Sequence, residues 1–177
     1  MFKLISKTLA AVAMVSVALF GSANAKTLKI ETHFTASSPN GEVAAQFAKN
    51  VEMFSGGSLK IEMFYSSSVT GKSAEVFNSA QTGIIDCDMT GAGYQTGKNA
   101  AFQFAGDVMG GYDNPYQQYE FLNFPGAQEA VDALYNKYGM TLIGWWIPGH
   151  ESLISSRPIP DVASLKDFKF RSPPGME

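Results

Sequence analysis

Three short runs of strand character, TLKIET, SLKIEMFY and IIDCDMT, are separated by two stretches of helical character, and this alternation constrains the fold more than any other feature. In the first run Leu28 and Ile30 alternate with polar neighbours, the period-two pattern of a half-buried strand. A tight hairpin joins antiparallel strands in a few residues, whereas parallel strands need a crossover of a dozen or more. The β-α-β-α-β order therefore implies an α/β fold with a parallel-rich sheet.

The first helix is punctuated at both ends. Ser38 is placed to cap it with Pro39 at the first helical position, Val43, Phe47, Val51 and Phe54 form an apolar stripe, and Gly56-Gly57 ends it. The next helix is predicted to start at Ser73 as cap and to stop at Gly83. Residues 91–114 are rich in glycine and aromatics without a sustained period, and read as loops and a short helix over the carboxyl edge of the sheet. Asn114-Pro115 opens a helix through Phe124. Pro125 opens another, whose Ala127, Ala130, Val131, Leu134 and Tyr138 recur at helical spacing until Gly139. MTLIGWW reads as a fourth core strand, HESLISS as an extended segment, DVASLKD as a short helix capped by Asp161, and FKFR as a strand with Arg171 at its carboxyl end.

Residues 1–25 read as a cleaved secretory signal. Lys3 and Lys7 precede an apolar run at 9–20, and Ala23-Asn24-Ala25 is a small-x-small cleavage site. That run is shorter than the roughly 20 residues a membrane-spanning helix requires. Cys87 is the only cysteine, which excludes an internal disulfide framework and CxxC zinc sites, and suits an exported bacterial chain in the periplasm. With 13 basic against 16 acidic residues and a net charge of -3, the chain has no electrostatic footprint for nucleic acid.

Catalytic constellations are scarce. His33 and His150 are the only histidines, and neither belongs to an HExxH, GxSxG or phosphate-loop arrangement. The glycines at 91, 93 and 97 miss the spacing of a dinucleotide fingerprint. Asp86 and Asp88, two apart on a strand, face one side, where a cation or hydrogen-bond donors can meet them. Arg171 presents a planar fork of donors suited to a carboxylate, at the carboxyl end of a strand where α/β proteins gather ligands. From position alone, that role and an ordinary surface ion pair stand even.

The segments SSPNG, FAKNVEMFSGGSLKIEMF, GIIDCDMTGAGYQTGKNAAFQF, GWWIPGHESL and ASLKDFKFRSPPGM, in that order, resemble the extracytoplasmic solute receptors of tripartite ATP-independent periplasmic (TRAP) transporters. The similarity is to the dicarboxylate-receptor type, and within it to the 2-oxoacid-binding branch. This resemblance implies a two-lobe periplasmic binding protein of type II-like α/β fold, with lobe I at 26–148 and a hinge and the beginning of lobe II at 149–177. It implies capture of a small organic acid, including 2-oxo and 2-hydroxy acids, for delivery to a membrane permease, with no catalysis, no nucleic acid and no membrane insertion of the mature chain. Arg171 then clamps the carboxylate, and Tyr94 and Phe34 wall the ligand. His150 stands where cation-binding receptors of the branch carry a glutamine, so it serves a metal ion co-bound with the substrate, donates a hydrogen bond to the ligand, or simply lines the pocket. No other cofactor is implied. Family members run on for roughly another domain, which implies that this sequence is incomplete. A periplasmic sensory domain, and an exported metal-assisted hydrolase using Asp86, Asp88 and His150, are the alternatives.

Overall fold

Three parallel strands in the order β2-β1-β3 form the sheet of this computed structural model, which describes residues 25–106, 108, 111–147, 153–169 and 171. The strands are β1 (Lys26–Thr32), β2 (Leu59–Phe64) and β3 (Cys87–Met89). Leu28 lies opposite Ile61, and Ile30 lies between Met63 and Cys87, so apolar side chains meet across the ladder as the alternation predicts. Both connections are helical crossovers, through α1 (Pro39–Phe54) and α2 (Val76–Gln81).

The predicted start of α1 is borne out in atomic detail. Ser38 Oγ accepts a hydrogen bond from Gly41 N at 3.1 Å, and Pro39 opens the helix. Its buried face differs from the predicted stripe: Gly41 and Ala44 are buried, whereas Val43 is 53% and Phe54 80% exposed. Small residues win because the helix passes very close to the preceding loop. A Cβ on Gly41 would sit 2.0 Å from the carbonyl oxygen of Thr35. At α2, Ser73 belongs to a 3-10 turn (Ser73–Glu75), its hydroxyl lies 3.4 Å from that of Ser67, and no side chain caps the helix.

Two further helices, α3 (Pro115–Asn123) and α4 (Pro125–Asn136), close the core from the other side. Asn114 Oδ1 accepts from both Tyr116 N and Gln117 N, the predicted cap. Phe77 of α2, Ala92, Phe102 and Ala105 of the connecting turns, and Val131 and Leu134 of α4 make up the apolar cluster. Phe77 and Phe102 meet edge to face at 5.7 Å, and Phe102 meets Tyr135 in the same way at 5.2 Å.

Two predicted strands are not formed among the described residues. Residues 140–147 adopt no regular element, although Met140, Leu142 and Trp145 pack against the cluster as a core segment would. The Leu142 N–H donates to Asp132 Oδ1 at 3.0 Å, so a side chain of α4 takes the place of a ladder partner. Likewise the described residues of FKFR belong to no strand, and the Phe168 ring lies under the Arg157 guanidinium at 4.7 Å. The short helix before them is a 3-10 turn (Val162–Leu165) with Asp161 as its predicted cap, accepting from Ser164 N at 2.9 Å.

Candidate functional site

The chain leaves β1 at Thr32 and exposes, over the carboxyl end of the sheet, the consecutive rings of His33 and Phe34. Their position is fixed by main-chain bonds from the loop after β2: Ser67 N donates to Thr32 O at 3.1 Å and Ser66 N to Phe34 O at 2.9 Å. Both serines take left-handed backbone angles, with φ of 57° and 50°, to make these bonds. A third strut comes from Glu31, whose Oε1 accepts from Val69 N at 2.6 Å and Thr70 N at 3.3 Å.

Around this ledge the rings assemble. His33 and Phe34 lie 4.0 Å apart, Tyr94 of the 3-10 turn Ala92–Gln95 meets His33 edge-on at 5.5 Å, and Trp146 reaches Phe34 at 5.2 Å. His33 is half-buried, and its Nδ1 is enclosed without a hydrogen-bond partner among the described residues. Burial first, and the nearby Arg171 guanidinium second, hold its imidazole below the ordinary 6.5. Arg171 itself is exposed. The structure thus brings Phe34 and Tyr94 together through His33 and sets the charge of Arg171 within electrostatic reach. His150 and the start of the hinge segment at 149–152 lie outside the described residues, as does the signal segment at 1–24.

Sequence reasoning passed over His33 and Trp146. For His33 a signal was present: a polar ring directly after a strand, at its carboxyl end, is where α/β sheets meet ligands. Trp146 carried none, because the run around it reads as core strand.

Beneath the ledge sits a pair of carboxylates. Glu31 and Asp88 are register partners on β1 and β3, and Glu31 is fully buried, with Oε2 lacking a partner among the described residues. Asp88 is pushed up to about 6, chiefly by burial and further by Glu31, against hydrogen bonds from Thr90 that favour its ionised form. Asp86 goes elsewhere: its Oδ2 accepts from Lys29 N at 2.8 Å, at the exposed base of the strand pair. The two aspartates therefore build no common site. No group of three or more His, Cys, Asp or Glu side chains able to hold a metal ion occurs among the described residues. Those residues do not fit a cation site by themselves.

The family described as bacterial extracellular solute-binding protein, family 7 (DctP) matches residues 30–176. The chain belongs to the DctP family. Among solved structures, a TRAP periplasmic solute-binding protein from Rhodobacter sphaeroides in an apo open form superimposes with a TM-score of 0.63 at 27% identity, over 67% of this chain and 38% of that one. A TRAP receptor from Pseudoalteromonas atlantica with bound sodium and pyruvate gives 0.60 at 20% identity, over 66% and 35%. One from Sulfurospirillum deleyianum with bound succinate gives 0.51 at 20% identity, over 63% and 35%. No curated protein matches the chain. This DctP-family chain thus spans little more than a third of the length of these receptors, and its parallel α/β sheet is part of the two-lobe periplasmic-binding fold. Family 7 proteins are transport receptors of the periplasm.

Proposed function

We propose that the chain supplies the first lobe, at 26–148, and the opening of the second, at 149–177, of a TRAP receptor that captures a small organic acid and hands it to a membrane permease. It would be exported through the signal at 1–25, and it would catalyse no reaction. The observation that carries this reading is the ledge itself: an aromatic wall of Phe34, Tyr94 and Trp146 around His33, with the Arg171 charge acting on it. Such a wall excludes water, and in a drier cleft a guanidinium-carboxylate fork gains strength. Solved relatives by fold bind pyruvate, pyroglutamate and succinate, so the ligand class is taken to be small carboxylates.

Thermal-shift screening of the full chain against pyruvate, succinate and pyroglutamate tests the reading. A ligand at about 100 times its dissociation constant stabilises the bound form by about 2.7 kcal/mol. In calorimetry Arg171→Lys is expected to weaken the best acid by more than about tenfold, since an ammonium lacks the planar fork. A folded chain whose melting is unmoved by every acid would overturn the receptor reading. Unchanged affinity in the lysine variant would remove Arg171 from the site.

A further inference from the structure

The loop that supports the ledge, residues 65–72 between β2 and the 3-10 turn Ser73–Glu75, is tied to β1 along most of its length. The N–H groups of Ser66 and Ser67 donate to the carbonyls of Phe34 and Thr32, and those of Val69 and Thr70 both donate to Glu31 Oε1, at 2.6 and 3.3 Å. The first pair of bonds ends on main-chain carbonyls, which any residue supplies. The second pair ends on a side chain. Ser66 and Ser67 are consecutive left-handed residues, a conformation that non-glycine residues leave unless surrounding bonds hold them there. Glu31 lies on β1 in register with Phe64, the last residue of β2, so its carboxyl meets the loop just past the end of that strand.

A residue placed there for packing alone would be apolar. Glu31 is fully buried, its Oε2 has no hydrogen-bond partner among the described residues, and on its other side it is in register with Asp88. Burying one carboxyl beside another is unfavourable, and an apolar side chain of like size would fill the core with less penalty. What the carboxyl adds is one acceptor for two loop amides, which no apolar residue can satisfy. We propose that Glu31 is a positioning residue of the ligand site: without touching the ligand, it anchors the loop whose amides fix Thr32 and Phe34, and so keeps the ledge of His33 and Phe34 in place against Tyr94 and Trp146. The ligand it serves rests on the receptor reading above; the anchoring does not.

Amide hydrogen exchange on the full chain tests it. Glu31→Met keeps the length of the side chain and removes the acceptor, whereas Glu31→Gln keeps the acceptor. In the methionine variant the amides of Ser66, Ser67, Val69 and Thr70 are expected to exchange at least about tenfold faster, with the ladder amides of β1 and β2 unchanged. Glutamine should restore the protection of the parent. A residue that served only global stability would instead speed exchange throughout the sheet. Should the methionine variant not fold, Glu31→Asp, whose carboxyl falls a methylene short of the loop, is measured in its place. Nuclear Overhauser contacts between the Phe34 and Trp146 rings should weaken in parallel. Calorimetry with succinate, pyruvate and pyroglutamate reads the consequence: an acid that the parent binds should bind the methionine variant about tenfold more weakly and the glutamine variant as it binds the parent. Unchanged loop protection in the folded methionine or aspartate variant, its loss in the glutamine variant, acceleration spread through the sheet, or unchanged affinity beside a loosened loop would overturn the inference and leave the receptor reading standing. A folded parent that binds none of the three acids overturns the receptor reading, while the exchange pattern still decides the anchoring.

Discussion

Asp88→Asn is expected to stabilise the protein at neutral pH, and the size of the effect follows from the raised pKa of the Asp88 carboxyl. Burial first, and its register partner Glu31 further, raise that pKa from 3.8 to about 6 against the hydrogen bonds from Thr90. At about 1.4 kcal/mol for each pH unit between those values, the ionised form weakens the fold by about 3 kcal/mol once the pH is above 6. The sign is that of a carboxyl whose folded state holds its proton more tightly than the unfolded state. Stability rises as pH falls through 6 and levels off below 3.8. Asparagine keeps an acceptor for the Thr90 hydroxyl, which donates to Asp88 Oδ1 at 2.6 Å, and adds no charge beside Glu31. For a domain of this size the gain amounts to roughly 5–10 °C in midpoint. Thermal or urea melts of both proteins between pH 4 and pH 8 measure it. The gap should be full at pH 7.5, shrink through pH 6 and close near pH 4. An asparagine variant no more stable than the parent at pH 7.5, or a gap that persists on acidification, would refute the reasoning that the buried charge weakens the fold.

Other substitutions test the packing. Gly41→Ala in a helix ordinarily helps, yet here the added Cβ meets the Thr35 carbonyl at 2.0 Å, so a loss of about 1–3 kcal/mol in denaturant melts is expected; a gain would show that the loop yields freely. Phe102→Ala, at a ring with no exposed surface, should cost about 3–5 kcal/mol, with a parallel loss of near-ultraviolet dichroism. Ser66→Gly relieves a left-handed angle of 57° and should stabilise by up to about 1 kcal/mol, the net of backbone strain against glycine's greater unfolded entropy; a loss in the same assay would mean the Ser66 side chain contributes more than its strain.

Helix starts were legible in the sequence because capping is local chemistry. Ser38-Pro39, Asn114-Pro115 and Asp161 each satisfy donors within three residues, whereas Ser73, predicted as a cap in the same way, lies in a 3-10 turn with its hydroxyl 3.4 Å from that of Ser67. Strands are a different matter, since a strand exists only where an edge receives it. Residues 140–147 have strand composition, but Asp132 takes the Leu142 N–H and the run stays irregular. The buried face of α1 was misjudged for a related reason. Apolar periodicity favoured Val43 and Phe54, whereas Gly41 and Ala44 are buried, and at Gly41 the close approach of the preceding loop at Thr35 and Ala36 leaves no room for a side chain. At the candidate site, Phe34 and Tyr94 were named from the family pattern, and both rings lie beside His33. Glu31 escaped notice because its partner, Asp88, is 57 positions away by subtraction and adjacent only once β1 and β3 pair.

The two main-chain bonds that bracket His33 separate where a residue sits from what it does there. Thr32 O and Phe34 O are fastened by amides of a neighbouring loop, and neither bond involves the imidazole. Position 33 is therefore a socket whose placement survives exchange of its occupant. A single codon change there exchanges the ring that the ledge carries without touching the bonds that place it.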